Sequence, residues 1–200
     1  MAMKKTAIAT TAALLAVTLF SSVAPAVHAD DIVNTTKGDV DFTKSTNPNG
    51  ELALVTAPSV DFGDQTISGS TKTYTQATAI GGIQVDDNRG SNVGWNLSVS
   101  NTQFTGLTTS SAKLDGAKLT LTSGAATNDN GASFVATPAA TMVLNGEGSV
   151  VPAMDAKKLM GMGINKAPIT KATLEVPGTT TKLKEKYEST ITWTLKDAAL

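Results

Sequence analysis

Between residues 187 and 196 the chain alternates without a break. Tyr187, Ser189, Ile191, Trp193 and Leu195 fall on one side of an extended backbone, and Glu188, Thr190, Thr192, Thr194 and Lys196 on the other. A period of two segregates side chains only in a β-strand; a helix would scatter both sets around its surface. A second run behaves alike, with Val93, Trp95, Leu97 and Val99 opposite Asn96, Ser98 and Ser100. The two runs carry the same short pattern, Trp95-Asn96-Leu97 and Trp193-Thr194-Leu195, and these hold the only two tryptophans of the chain. Each pattern places an indole and an isobutyl group side by side on one face, so both runs read as strands with one buried and one wet face.

The rest of the chain extends this reading. Turn signals are frequent: Asn47-Pro48-Asn49-Gly50, Gly81-Gly82, Asn88-Arg89-Gly90, Asn128-Asp129-Asn130-Gly131, Asn145-Gly146 and Pro177-Gly178. Between them lie short runs rich in Thr and Val, residues that favour a pleated, half-buried surface. Strands are expected over residues 52–56, 71–75, 92–100, 117–122, 141–144, 171–176 and 187–196. The expected fold class is all-β: an antiparallel β-sandwich or partly closed barrel of many short strands, with at most one short helix, over residues 153–160. Residues 30–50 are polar and read as a flexible lead or as an edge strand over 40–43.

The N-terminus has the form of an export signal. Lys4 and Lys5 precede a mostly apolar stretch from residue 6 to 23, and small residues end at Ala29 ahead of Asp30-Asp31. The expected division is a signal peptide over 1–29, the polar lead over 30–50 and a single domain over 51–200. Loss of the signal removes His28, the only histidine, and there is no cysteine. The mature chain then has no His or Cys, which excludes Ser-His-Asp and Cys-His catalysis and His- or Cys-ligated zinc. It also has no disulfide, so an apolar core must hold it together. Of sixteen basic residues, fourteen remain against seventeen acidic ones, a balance of −3, and Arg89 is the only arginine. A chain without a basic stripe is not a nucleic-acid binder. No sorting motif, late hydrophobic tail or lipobox cysteine is visible. The expectation is an exported protein with no membrane span after signal cleavage, held at the cell surface by non-covalent binding.

The residues resemble the WxL-domain surface proteins of Gram-positive bacteria, in the small form where the domain is nearly the whole protein. Residues 54–63 read LVTAPSVDFG, like the early Phe-Gly segment of that family. Residues 85–99 read VDDNRGSNVGWNLSV, like its distal motif, and residues 187–198 read YESTITWTLKDA, like its closing motif. The resemblance covers about residues 32–198; where the family often ends in Asp-Ala-Pro, this chain has Asp197-Ala198-Ala199. It implies a secreted, non-catalytic domain attached to the cell wall, with peptidoglycan or another wall polymer as ligand and no cofactor. It also implies partners: membrane-anchored WxL-interacting proteins and larger WxL proteins. An alternative is an assembly or adhesin subunit whose main ligand is another surface or host protein.

Two roles compete for Trp95, Leu97, Trp193 and Leu195. They form a platform for wall glycan, or they are core; the alternation favours the core, since each Trp shares its face with other apolar residues. The polar residues opposite them, Asn96, Ser98, Thr192 and Thr194, are then the candidate ligand contacts, through amide and hydroxyl hydrogen bonds. The competing reading is an ordinary solvated face. Arg89 is a further candidate, able to grip a carboxylate with two parallel hydrogen bonds or to pair with Asp86 or Asp87 inside a turn. Asp61, Asp64 and residues 128–130 lack the spacing of a calcium loop and read as turns. Asp86 and Asp87 are adjacent, so on a strand they point apart and do not form a hydrolytic pair. No metal site is expected.

Overall fold

Thirteen strands form in a computed structural model, which describes residues 37–43, 48, 50–76 and 80–197; apolar and hydroxyl side chains alternate most clearly over 118–123 and 191–195. The chain separates into two units, Met1–Asp41 and Phe42–Leu200. Of the first, residues 37–41 are described; they are exposed and form no strand or helix. The expected signal peptide lies outside the described residues.

The second unit is all-β, and every strand pairing in it is antiparallel. The strands are β1 (Leu52–Thr56), β2 (Lys72–Thr75), β3 (Gly82–Asp87), β4 (Trp95–Asn101), β5 (Thr105–Gly106), β6 (Lys118–Ser123) and β7 (Thr127–Asn128). They continue with β8 (Thr137–Pro138), β9 (Thr141–Leu144), β10 (Val151–Ala156), β11 (Gly163–Val176), β12 (Tyr187–Glu188) and β13 (Ile191–Asp197). The larger sheet runs β1-β3-β11-β6-β9, with β2 and β7 also paired to β11. The smaller runs β13-β4-β10-β8, and β12 pairs with β5. Each of the two sheets has free ends, so neither closes into a barrel and the arrangement is sandwich-like.

One apolar cluster joins the sheets. Trp95, Leu97 and Val99 of β4 and Met154 of β10 are buried with Ile83 and Val85 of β3, Leu119 and Leu121 of β6, and Ile169 and Leu174 of β11. Exclusion of these side chains from water, at roughly 25 cal/mol per Å² of apolar surface, is the main force available to a domain without disulfides.

Several sequence expectations change. The helix over 153–160 is absent. Its first half is β10, followed by a turn in which the Met160 N–H donates to the Lys157 carbonyl. A bulge between Pro152 and Met154 breaks the two-residue period, so Ala153, Met154 and Ala156 are all buried. That spacing imitates a helical face, and the sheet pairing overrides it. A bulge also hides half of β11. The register shifts between Ile169 and Lys171, so odd positions face the core before it and even positions after it. Only the second half, 171–176, stood out in the sequence. No strand forms over 40–43. The expected strand 187–196 is split, because Tyr187–Glu188 pairs with β5 and Ile191–Asp197 with β4. Val93 lies in the turn before β4 and is exposed, so it does not share the Trp95 face.

Candidate functional site

The two Trp-x-Leu strands are neighbours. In the β4–β13 ladder Leu195 lies opposite Leu97, Trp193 opposite Val99, and Asp197 opposite Trp95. Opposed residues of an antiparallel pair project to the same face. All four motif side chains therefore point toward the core side, but the indoles do not meet. They are four positions apart in register, roughly 14 Å at strand rise, so the cross-strand pair at the centre is leucine on leucine. The strands differ in depth. Trp95 and Leu97 are 0% exposed, whereas Trp193 and Leu195, on the edge strand, are half-buried against the core.

The Trp95 indole is held by a polar network that the sequence did not reveal. Its Nε1–H donates to the Gly161 carbonyl at 3.3 Å. Gly161 has φ +76°, and a Cβ there would lie 2.3 Å from the Ala156 Cβ and 2.6 Å from Trp95 Nε1, so only glycine fits under the ring. Asn165, 0% exposed, donates through Nδ2 to the same carbonyl at 2.6 Å and to Gly163 at 3.3 Å. Its Oδ1 accepts the Ala136 N–H at 3.1 Å and Asn128 Nδ2 at 2.9 Å. A buried amide with both its donor and its acceptor engaged satisfies the loops around the indole. The available clue was a polar residue at an inward position of the pattern Gly163, Asn165, Ala167, Ile169.

Arg89 pairs with Asp87. Its Nε and Nη2 donate to the two Asp87 carboxylate oxygens at 2.8 Å each, Nη2 also donates to the Gly94 carbonyl at 2.9 Å, and Nη1 donates to Asp197. The Arg89 side chain is 9% exposed and that of Asp197 72%. Hydrogen bonding to Asp87 holds the guanidinium above its ordinary value against the opposing pull of burial, and the charge of Asp197 adds to it. Asp86 instead accepts from Gln84 Nε2 at 2.9 Å. Arg89 thus ties the end of β13 to the end of β3 and to the turn before β4.

The polar residues of the two motif strands form one surface. Lys196 lies opposite Asn96, Thr194 opposite Ser98, and Thr192 opposite Ser100. Beyond the strand ends the ladder continues: the Thr102 N–H donates to the Thr190 carbonyl at 3.0 Å, and the Thr190 N–H to Thr102 Oγ1 at 2.9 Å. Across the sheet Asn96 is also opposite Asp155, and Asp155 opposite Thr137. Thr192 and Thr194 are exposed and Asn96 is half-buried. Ser98 is buried, and its Oγ donates to the Thr194 carbonyl at 3.3 Å. The face has hydroxyl and amide groups at each rung, with one cation and one anion.

Among the described residues no group of three or more carboxylates gathers where it could hold a metal. Asp61 Oδ1 accepts the Gly63 N–H at 2.9 Å, and Asn128 Oδ1 the Asn130 N–H at 2.7 Å, both within turns. No described helix is long and apolar enough to cross a membrane.

Comparison with curated proteins and with solved structures returned no match. A family model described as a WxL domain, surface cell wall-binding, matches residues 10–198, and the chain belongs to that family.

Proposed function

We propose that this protein attaches non-covalently to the Gram-positive cell wall by binding peptidoglycan, without catalysis, through the outer face of the β13-β4-β10-β8 sheet. The observation that supports this is the division of labour on β4 and β13. The apolar side of both strands faces the core, while Asn96, Thr192 and Thr194 stand on the other side in a ladder of amide and hydroxyl groups. Such groups hydrogen-bond sugar hydroxyls and peptide amides alike. On this reading the Trp-x-Leu residues support the surface, and Arg89 is a positioning residue that fixes the end of β13. Residues 1–29 are a leader removed on export, 30–50 a polar lead and 51–200 the binding domain, which acts in a surface complex with membrane-anchored WxL-interacting proteins and larger WxL proteins.

The test is sedimentation of purified mature protein with isolated, protein-free cell walls. Wild type pellets with the walls, and a folded Asn96→Ala/Thr192→Ala/Thr194→Ala variant stays in the supernatant. Equal sedimentation of both would remove the face from the proposal, and a wild type that stays soluble would remove the wall.

A second reading, an assembly subunit, is favoured by β13 itself. It is the last strand of its sheet, and Ile191, Trp193 and Leu195 are half-buried along it. An edge strand with an apolar row offers both backbone and side chains to a partner strand. Failure to bind walls together with retained binding to a purified surface protein would favour this reading.

A further inference from the structure

The polar ladder ends at two adjoining cavities. Thr102 and Thr190, its last rung, line one of about 340 Å³. Gln103 and Lys113 line that cavity and also a second of about 570 Å³, so the two meet along these side chains. Both are open depressions on the surface rather than enclosed pockets. Gln103 is held in place, with Nε2 donating to Asp115 at 3.1 Å. Gly146, at φ +79°, makes room for it; a Cβ there would lie 2.4 Å from Gln103 Oε1. Buried Asn101 braces the same corner, with Oδ1 accepting the Gly146 N–H at 2.8 Å and Nδ2 donating to Ser189 Oγ at 3.1 Å.

The lining has mixed charge and no aromatic ring. Lys113 borders both cavities, with Glu188 on one side and Lys118, Asp115 and Glu147 on the other. Among the described residues Lys113 and Lys118 make no ion pair. A ligand with a carboxylate, an ammonium group and peptide amides matches the groups that are present: the lysines for the carboxylate, Glu188 or Glu147 for the amine, and Gln103 for an amide.

We propose that this groove is a second binding site, for a short peptide carrying a free carboxylate and a free amine, placed so that a peptide branch enters it while the glycan lies along the ladder. The inference rests on the wall-binding reading. The ladder from Asn96 to Thr102 spans four rungs, about 20 Å at strand rise, and leads directly into the groove.

The test is calorimetric titration of the mature protein with the synthetic tripeptide alanyl-γ-glutamyl-lysine, and separately with a peptide-free N-acetylglucosamine oligomer. Wild type binds the tripeptide, and Lys113→Met weakens it by roughly tenfold, as loss of a charge-assisted hydrogen bond does. Lys158→Met, which removes an exposed lysine outside the groove lining, leaves the tripeptide affinity in place. Absence of tripeptide binding, or equal binding by Lys113→Met, overturns the inference. So does sensitivity to Lys113→Met of the oligomer alone, which would make the groove a glycan site. Sedimentation of wild type with walls reports the underlying reading independently.

Discussion

Leu97 and Leu195 lie directly opposite each other at the centre of the β4–β13 ladder, one fully buried and the other half-buried. The two Trp-x-Leu patterns are therefore antiparallel copies about a leucine pair, with their indoles at opposite ends and at different depths.

That asymmetry separates the two tryptophans. Trp95→Ala removes a fully buried ring and strands the space above Gly161, at a cost of about 3–5 kcal/mol. A domain has only about 5–15 kcal/mol in total, so this variant is expected to be largely unfolded or close to it. Trp193→Ala, half-buried on an edge strand, is expected to fold and to melt only moderately earlier. Thermal unfolding followed by circular dichroism distinguishes them. Equal losses at the two sites would contradict the difference in burial. Any loss of wall binding by Trp95→Ala reports the fold, whereas a folded Trp193→Ala reports on the surface.

The Arg89 clamp makes a graded series. Arg89→Ala leaves the buried Asp87 carboxylate without its cation, at a cost of roughly 3–5 kcal/mol. Arg89→Lys keeps the charge but cannot make the two-pronged contact and reach Gly94 and Asp197 together, so it costs about 1–3 kcal/mol. Asp197→Asn acts on a carboxylate that is largely exposed and should cost below about 1 kcal/mol. Urea unfolding midpoints should fall in that order. An Asp197→Asn loss as large as that of Arg89→Ala would overturn the ranking.

Strands with an unbroken period were legible in the sequence. Residues 141–144, alternately exposed and buried, begin and end as expected; residues 52–56 do so as a short apolar run between polar neighbours, despite a register shift between Leu54 and Thr56. Where the period breaks, the sequence misled. The bulge in β10 placed Ala153, Met154 and Ala156 inward and resembled a helix, and the bulge in β11 hid eight residues of the longest strand. β3 was masked by Asp86 and Asp87, both buried and both unlike strand residues by composition. The polar face was legible because it is the complement of the apolar one. The groove was not, since it joins residues near 103, 113, 146 and 188 that only the fold brings together.

Asn165 should be as critical as a core leucine despite its polarity. Asn165→Leu leaves the Ala136 N–H without its acceptor in a buried site, at a cost of about 1–3 kcal/mol, while Asn128 Nδ2 keeps the Phe134 and Met162 carbonyls. Asn165→Asp keeps the acceptor but turns the donor to Gly161 into a carboxylate oxygen facing a carbonyl, so it should be no better. Both variants are expected to lower the melting midpoint well beyond Asn130→Ala, an exposed turn residue. A near-neutral Asn165→Leu would mean that the loops around Trp95 do not depend on this amide.

Glu185 gives the fold a defined acid response. Its Oε2 accepts the Thr109 N–H at 2.9 Å and the Thr108 N–H at 2.8 Å, tying the loop after β5 to the segment before β12. These backbone donors, Thr109 foremost, hold the carboxyl below its ordinary value. A group whose folded value lies below its unfolded value stabilises the fold fully above the unfolded value, about 4.3 for glutamate. That contribution is lost as the pH falls through the lower, folded value. Glu185→Gln lacks the charge at every pH. The wild type should therefore exceed the variant in urea midpoint near about pH 7, and the gap should close on acidification toward about pH 3. The sign is the test: a gap that widened as the pH fell would mean that the folded state favours the protonated acid and that the two N–H groups do not hold the carboxylate.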